Sequence, residues 1–255
     1  MNHAIHTVVD VTSEVYYTQD NKYVVITTME ECFLNTTVLS KSALFRGIQP
    51  DEAKEMLHCL GAERRKFNKG ARIFCAGDVT TDLGLVLTGS ILIQNDDFWG
   101  NTTVLDHVIP GQIFAETYAC TGEPLMVDAV AAEPAEVLLL NVGRVLQTCP
   151  QACTHHSRLI RNLLFLSARK NLNLSRKIFH TASKSIRGRL LSYLSFQSTR
   201  CGSRRFTIPF NRQQLADYLN VDRSALSNEL SKMQKDGLLH VDRNRFELLC
   251  SQDML

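Results

Sequence analysis

From Glu63 to Val142 apolar residues arrive in short runs: "ARIFCA", "LGLVLTG", "SILIQN", "TTVLDHVI", "QIFAE", "MVDAVAA" and "EVLLLN". Turn formers separate them, at Gly70, Gly77-Asp78, Gly89, Gly100-Asn101, Pro110-Gly111 and Gly122. Short strands punctuated in this way predict a compact antiparallel barrel or sandwich. Just upstream, "QPDEAKEMLHCLGAERR" places Pro50, Asp51 and Glu52 where a helix begins and Gly61 where it ends. Residues 1–40 alternate only weakly ("YVVITT"), so the expectation there is an N-terminal extension of uncertain order. Met29 is a candidate translation start, which would make 1–28 a loosely ordered segment.

After Pro150 the period changes. Gln151 to roughly Ser183 contains neither Gly nor Pro, and Ile160, Leu164, Ser167, Asn171, Leu174, Ile178 and Thr181 recur at alternating steps of four and three. That is a heptad seam, apolar at its ends and polar in the middle. A second stripe, Leu159, Leu163 and Leu166, lies on a neighbouring face and suits packing against the chain's own barrel. One face for a partner helix and one for the same chain predicts a homodimer. The alternative is a single helix buried in a core.

"KSIRGRLLSYLSFQS" reads as another helix, "RFTIPF" as a strand, and "NRQQLADYLNVDRSALSNELSKMQKDGLL" as two short helices. Asn211 is a good N-cap for the first helix and Asp222 for the second, with Asn220 at a turn that needs left-handed backbone. Leu215 and Leu219, then Leu226, Leu230 and Met233, form the inward sides. "LLHVDRNRFELLC" follows as a hairpin turning at Asp242–Asn244. Helix, helix, hairpin is the outline of a winged helix. Arg223, Ser224, Ser227 and Asn228 fall on the outer side of the second helix, with side chains of the types used on base edges and phosphates. Helices of this kind enter the DNA major groove. A solvated helical hairpin would more often carry Glu and Lys there.

Charge supports that picture. From Lys184 onward there are 12 Lys+Arg and 7 Asp+Glu, a balance of +5, whereas the preceding residues hold 16 and 19, a balance of −3. A basic C-terminal third on an acidic body is the asymmetry of a nucleic-acid-binding end, with Gln213, Arg204, Arg205, Arg212, Lys232 and Arg243 as further DNA-facing candidates. There is no run of eighteen apolar residues and no secretory signal, so a cytoplasmic protein without membrane partners is expected. The eight cysteines are scattered, as reduced thiols are. No P-loop, G-x-S-x-G, H-E-x-x-H or paired-carboxylate motif occurs in a convincing setting, which argues against an enzyme.

The run from about Ser40 to Leu249 resembles bacterial transcription factors of the Crp/Fnr family. The resemblance rests on "KGARIFCAGD…LVLTGSI…PGQIFAE", the long helix, and "FTIPFNRQQLADYLNVDRSALSNELSKMQKDGLL". It implies an α+β chain with a β-roll of the cyclic-nucleotide-binding jelly-roll type over 41–149, a long dimerisation helix over 150–183, and a winged helix-turn-helix over 184–255. It also implies a two-fold operator in double-stranded DNA, RNA polymerase as a partner, and a small-molecule effector. Arg223 takes the place of a family arginine that reads guanine. Ser224 replaces a common glutamate and Asn228 a common arginine, so a different half-site is expected.

Cyclic-nucleotide-binding members hold the phosphate with an arginine and a serine that follow a Gly-Glu pair. Here Ala115-Glu116 matches that pair, while Met126 and Val127 fall where the arginine and serine belong. No Arg or Lys occurs between Arg72 and Arg144, so a buried phosphate would lack its charged partner, and the expectation is an effector other than cyclic AMP. Glu116, Met126, Val127, Ser167 and Asn171 are the candidate effector residues. An iron–sulfur cluster needs four thiolates, and the first 50 residues offer only Cys32. The cluster Cys149, Cys153, His155 and His156 leaves open a haem- or metal-dependent redox or gas sensor. A non-DNA interaction module with a disused winged helix is the remaining alternative.

Overall fold

The computed structural model describes residues 7–10, 13–17, 23–27, 36–146 and 154–249. The chain divides into two compact units, Met1–Ala168 and Arg169–Leu255.

The first unit is a β-roll. Its strands are β1 (Thr7–Asp10), β2 (Ser13–Tyr17), β3 (Tyr23–Thr27), β4 (Glu63–Phe67), β5 (Arg72–Phe74), β6 (Asp82–Thr88), β7 (Ile91–Asp96), β8 (Thr102–Val108), β9 (Ile113–Phe114), β10 (Asp128–Ala131) and β11 (Ala135–Asn141). They form one sheet in the order β1-β2-β3-β4-β11-β6-β9 and a second in the order β5-β10-β7-β8, antiparallel at every pairing.

β6 and β11 are buried on both faces, which is why "LGLVL" and "VLLL" read as continuous apolar runs rather than alternating ones. Val86, Val137 and Leu139 join Phe67, Ile91 and Phe114 in one core cluster. Leu83, Leu85, Leu138 and Leu140 belong to a second, with Leu44, Phe45, Met56, Leu57 and Leu60 from helices and turns. Gly84 is required between them, since a Cβ there would lie 2.3 Å from Phe114 Cζ.

α1 (Thr36–Lys41), α2 (Pro50–Cys59), α3 (Glu116–Thr121) and α4 (Val142–Leu146) complete the roll. α2 starts as the sequence suggests, with Pro50 in its first turn and a capping box between Gln49 and Glu52. β1–β3 form a meander continued by β4, with Val24 opposite Phe67 and Thr27 opposite Arg64.

The long helix α5 spans Thr154–Thr181, and the division between the two units falls within it. Leu159 and Leu163 are buried in the second roll cluster with Leu166 packed beside them, as their spacing predicts. Asn162 Nδ2 donates to the carbonyls of Leu44 (2.8 Å) and Arg46 (2.9 Å), and Arg158 donates to that of Gly47. The seam stripe is different. Leu164, Leu174 and Ile178 are 69%, 59% and 61% exposed, Asn171 is exposed, and Ile160 and Ser167 are half-buried.

The second unit adds α6 (Ile186–Cys201), β12 (Arg205–Thr207), α7 (Arg212–Leu219), α8 (Arg223–Lys235), β13 (Leu239–Asp242) and β14 (Arg245–Leu248). Leu190, Tyr193, Leu194, Phe206, Leu215, Leu219, Leu226, Leu230 and Met233 form its core. The sheet order β12-β14-β13 makes the wing.

Candidate nucleic-acid interface

α7 and α8 are built by their caps. Asn211 Oδ1 accepts from Gln214 N and Gln214 Oε1 from Asn211 N, both at 2.9 Å, closing a capping box at the start of α7. α7 ends at Asn220, left-handed at φ 53°, and the chain turns within two residues to Asp222. Asp222 Oδ1 accepts from Ala225 N at 2.9 Å and from Ser224 Oγ at 2.5 Å. Those bonds, Ser224 first, hold its carboxyl below the usual aspartate range.

With Leu226, Leu230 and Met233 buried, α8 turns Arg223, Ser224 and Asn228 to solvent, Ser227 half-buried beside them. Among the described residues no hydrogen bond or ion pair holds the Arg223 and Asn228 side chains. The two serines differ. Ser224 spends its proton on Asp222, and Ser227 donates to the Arg223 carbonyl at 2.9 Å. Both therefore face outward as acceptors. Gln213 Nε2 donates to Asp217 Oδ1 at 2.8 Å, Lys232 is exposed, Arg212 is half-buried, and Arg243 occupies the wing turn.

Three side chains that periodicity does not single out hold this arrangement. Arg189 on α6 donates from Nη1 to the carbonyls of Leu219 (3.0 Å) and Asn220 (2.8 Å) and from Nε to that of Ser183 (2.7 Å). Arg187 pairs with Glu229 at 2.6 Å and Asp236 at 2.7 Å, tying α6 to both ends of the second half of α8. His180 is buried among the rings of Tyr193, Phe196 and Tyr218. A spacing rule within one helix cannot announce contacts made with other segments of the chain.

In the β-roll, Ala115 precedes α3 in left-handed conformation at φ 60°, and Glu116 is buried. Met126 is 76% exposed and Val127 half-buried. Arg72, the last cation before the gap, is committed to carboxylates, its Nη2 3.2 Å from Asp96 and its Nε 3.4 Å from Asp128. Asp128 also accepts from Ala76 N at 2.7 Å.

Cys149 and Cys153 lie outside the described residues. Of their neighbours, His155 Nδ1 faces Glu52 Oε2 at 3.2 Å, and His156 is buried with no hydrogen bond to Nδ1 among the described residues. Among the described residues no group of three or more His, Cys, Asp or Glu is placed to hold a metal ion. No helix among them is long and apolar enough to cross a membrane.

A β-roll followed by a winged helix is the architecture of a helix-turn-helix protein with a cyclic-nucleotide-binding type of domain. The family comparisons agree. Residues 64–151 match the cyclic nucleotide-binding domain, and residues 188–252 match the Crp-like helix-turn-helix domain. The chain is 26% identical over 208 residues to the "Probable transcriptional regulator flp" of Lacticaseibacillus casei, covering 74% of this chain and 92% of that protein. It is 31% identical over 99 residues to the "Cyclic AMP receptor protein" of Thermus thermophilus, covering 39% and 45%. A crystal structure of a cyclic nucleotide-binding domain from Methylobacillus flagellatus shares the fold, at TM-score 0.50 and 20% identity over 60% of this chain and 86% of that one. The chain belongs to the Crp/Fnr family of DNA-binding transcription regulators.

Proposed function

We propose that the chain works as a homodimer that reads a two-fold site in double-stranded DNA, responds to a small-molecule effector other than cyclic AMP, and acts on RNA polymerase in the cytoplasm. The observation that carries the DNA reading is the outer side of α8. Arg223 and Asn228 stand exposed on capped, rigid backbone with no internal hydrogen bond or ion pair among the described residues, beside two hydroxyls left as acceptors. Arginine then suits guanine, and asparagine suits adenine or phosphate. Gln213, Lys232 and the basic wing supply backbone contacts.

The exposed seam of α5 supports the dimer. Large apolar residues at heptad spacing on one open face need a cover, and a second copy of the same helix offers the matching stripe. Parallel pairing sets Lys170 opposite Ser175 of the second copy, so like charges do not meet there. Against cyclic AMP stand Met126 and Val127 at the expected Arg and Ser positions, and Arg72 already paired with two aspartates. Glu116, Met126, Val127, Ser167 and Asn171 remain the effector-facing residues of this proposal.

The test is Arg223→Ala on a duplex selected from a random pool by the wild-type protein. Each half-site should lose about 1–3 kcal/mol, the worth of a bidentate arginine–guanine pair, so the specific affinity of the dimer should fall roughly 30-fold or more while the thermal transition stays in place. Unchanged specific binding would remove Arg223 as a base reader. Calorimetric titration with cyclic AMP should give no heat and no gain in DNA affinity.

A further inference from the structure

We infer that Arg212 acts on DNA through Arg243: it is a positioning residue that fixes the wing turn so that Arg243 meets the phosphate backbone. The inference rests on the DNA-binding function proposed above.

Arg212 is the first residue of α7, and its backbone is locked by the Asn211–Gln214 capping box. From that fixed point its Nη2 donates to the carbonyl of Arg243 at 3.3 Å. The Arg212 side chain is half-buried, and burial pushes its pKa down. Asn244 is held from the other side: its carbonyl accepts from Ile208 N at 3.0 Å, and its Nδ2 donates to the Ile208 carbonyl at 3.2 Å. The two residues between the paired Asp242 and Arg245 are thus pinned to the body of the domain by three bonds.

Arg243 itself is left-handed at φ 54° and exposed, with no side-chain partner among the described residues. Such a turn favours Gly, Asn or Asp. A long cation is kept there against its backbone preference, on a turn that Arg212 holds still. A fixed backbone with a free cationic side chain is what a phosphate contact needs.

The experiment is a double-mutant cycle read as the salt dependence of binding to the duplex selected by the wild-type protein. Arg243→Gly accepts the left-handed turn and removes the charge, and should flatten the slope of log K against log salt by about 1.8, one phosphate contact of about 0.9 from each of the two protomers. Arg212→Met should flatten it comparably, and the double variant should go no further than Arg243→Gly. Additive slopes would show that Arg212 touches phosphate itself and overturn the inference. So would an unchanged slope for Arg212→Met. Thermal transitions of all variants separate these outcomes from misfolding. A wild-type protein that selects no sequence and binds without salt dependence would instead sink the DNA reading, and this inference with it.

Discussion

Arg189 Nη1 donates at 2.8 Å to the carbonyl of Asn220, the left-handed residue on which the helix-turn-helix pivots. The same nitrogen reaches the Leu219 carbonyl at 3.0 Å, and Nε reaches Ser183 at 2.7 Å. One guanidinium therefore caps the end of α7 and holds the segment that leads into α6. Carbonyls at a helix C-terminus lack intrahelical donors, and a cation there also meets the negative end of the helix dipole.

Arg189→Met should destabilise the C-terminal unit by on the order of 2 kcal/mol, a charged donor being lost from several carbonyls at a partly exposed site. Denaturant unfolding followed by circular dichroism would read it. DNA affinity should fall as well, because the angle between α7 and α8 depends on the Asn220 turn. A variant with wild-type stability would show that water replaces these bonds without loss.

Ala115 sits at φ 60° immediately before α3, where the family resemblance expects glycine. A Cβ in the left-handed region costs roughly 1–2 kcal/mol. Ala115→Gly should therefore stabilise the β-roll by about 1 kcal/mol, the gain reduced by the greater freedom of glycine in the unfolded chain. The check is the melting temperature of the roll's transition, which should rise; a fall would mean that the Ala115 methyl earns more in packing than its backbone loses.

Much of this architecture is legible in the residues. The stripe Leu159–Leu163–Leu166 separates cleanly from the seam at Leu164 and Ile178 because helical period assigns faces without any tertiary knowledge. The caps at Asn211 and Asp222 are local for the same reason. What escapes are relations between distant segments. β1–β3 alternate weakly and join the sheet through β3 beside β4, whose sequence "ERRKF" carries little strand signal. Arg189 looks like any surface cation until its carbonyl partners, 30 and 31 residues away, are in place. Ser224 and Ser227 read as donors or acceptors alike, and only their bonds to Asp222 and the Arg223 carbonyl decide.

His180 should make the C-terminal unit sensitive to acid. Its Nδ1 lies 3.1 Å from Ser192 Oγ, its Nε2 is buried without a hydrogen bond among the described residues, and the rings of Tyr193, Phe196 and Tyr218 surround it. Burial first, and Arg176 second, push its pKa below the ordinary histidine value. Among the described residues the charged group facing it is Arg176 from α5, with no carboxylate, while Tyr193 and Tyr218 stay neutral, the former pushed up to about 12 by burial. A depressed folded pKa means that the stability contributed is complete above the unfolded value near 6.5 and is lost as pH falls through the folded one. Unfolding midpoints should drop between pH 7 and pH 5, and His180→Phe should reduce that drop. Equal pH dependence in both proteins would assign it to other groups.

The last prediction concerns Asn171 in the middle of the exposed seam. In a two-stranded parallel coil an asparagine at this position faces its own copy, costs stability, and fixes register and strand number. Asn171→Leu should then tighten self-association, seen by sedimentation as a dimer that persists to lower concentration. Ile178→Asp, on the same stripe, should loosen it by placing like charges across the axis. DNA affinity should follow dimerisation in the second variant, because a two-fold site is held by two reading helices. In the first it should rise only if register was not what Asn171 contributed. A tighter dimer with weaker or effector-blind DNA binding would mark Asn171 as the residue that keeps two helix arrangements close in energy, which is the condition for an effector to choose between them.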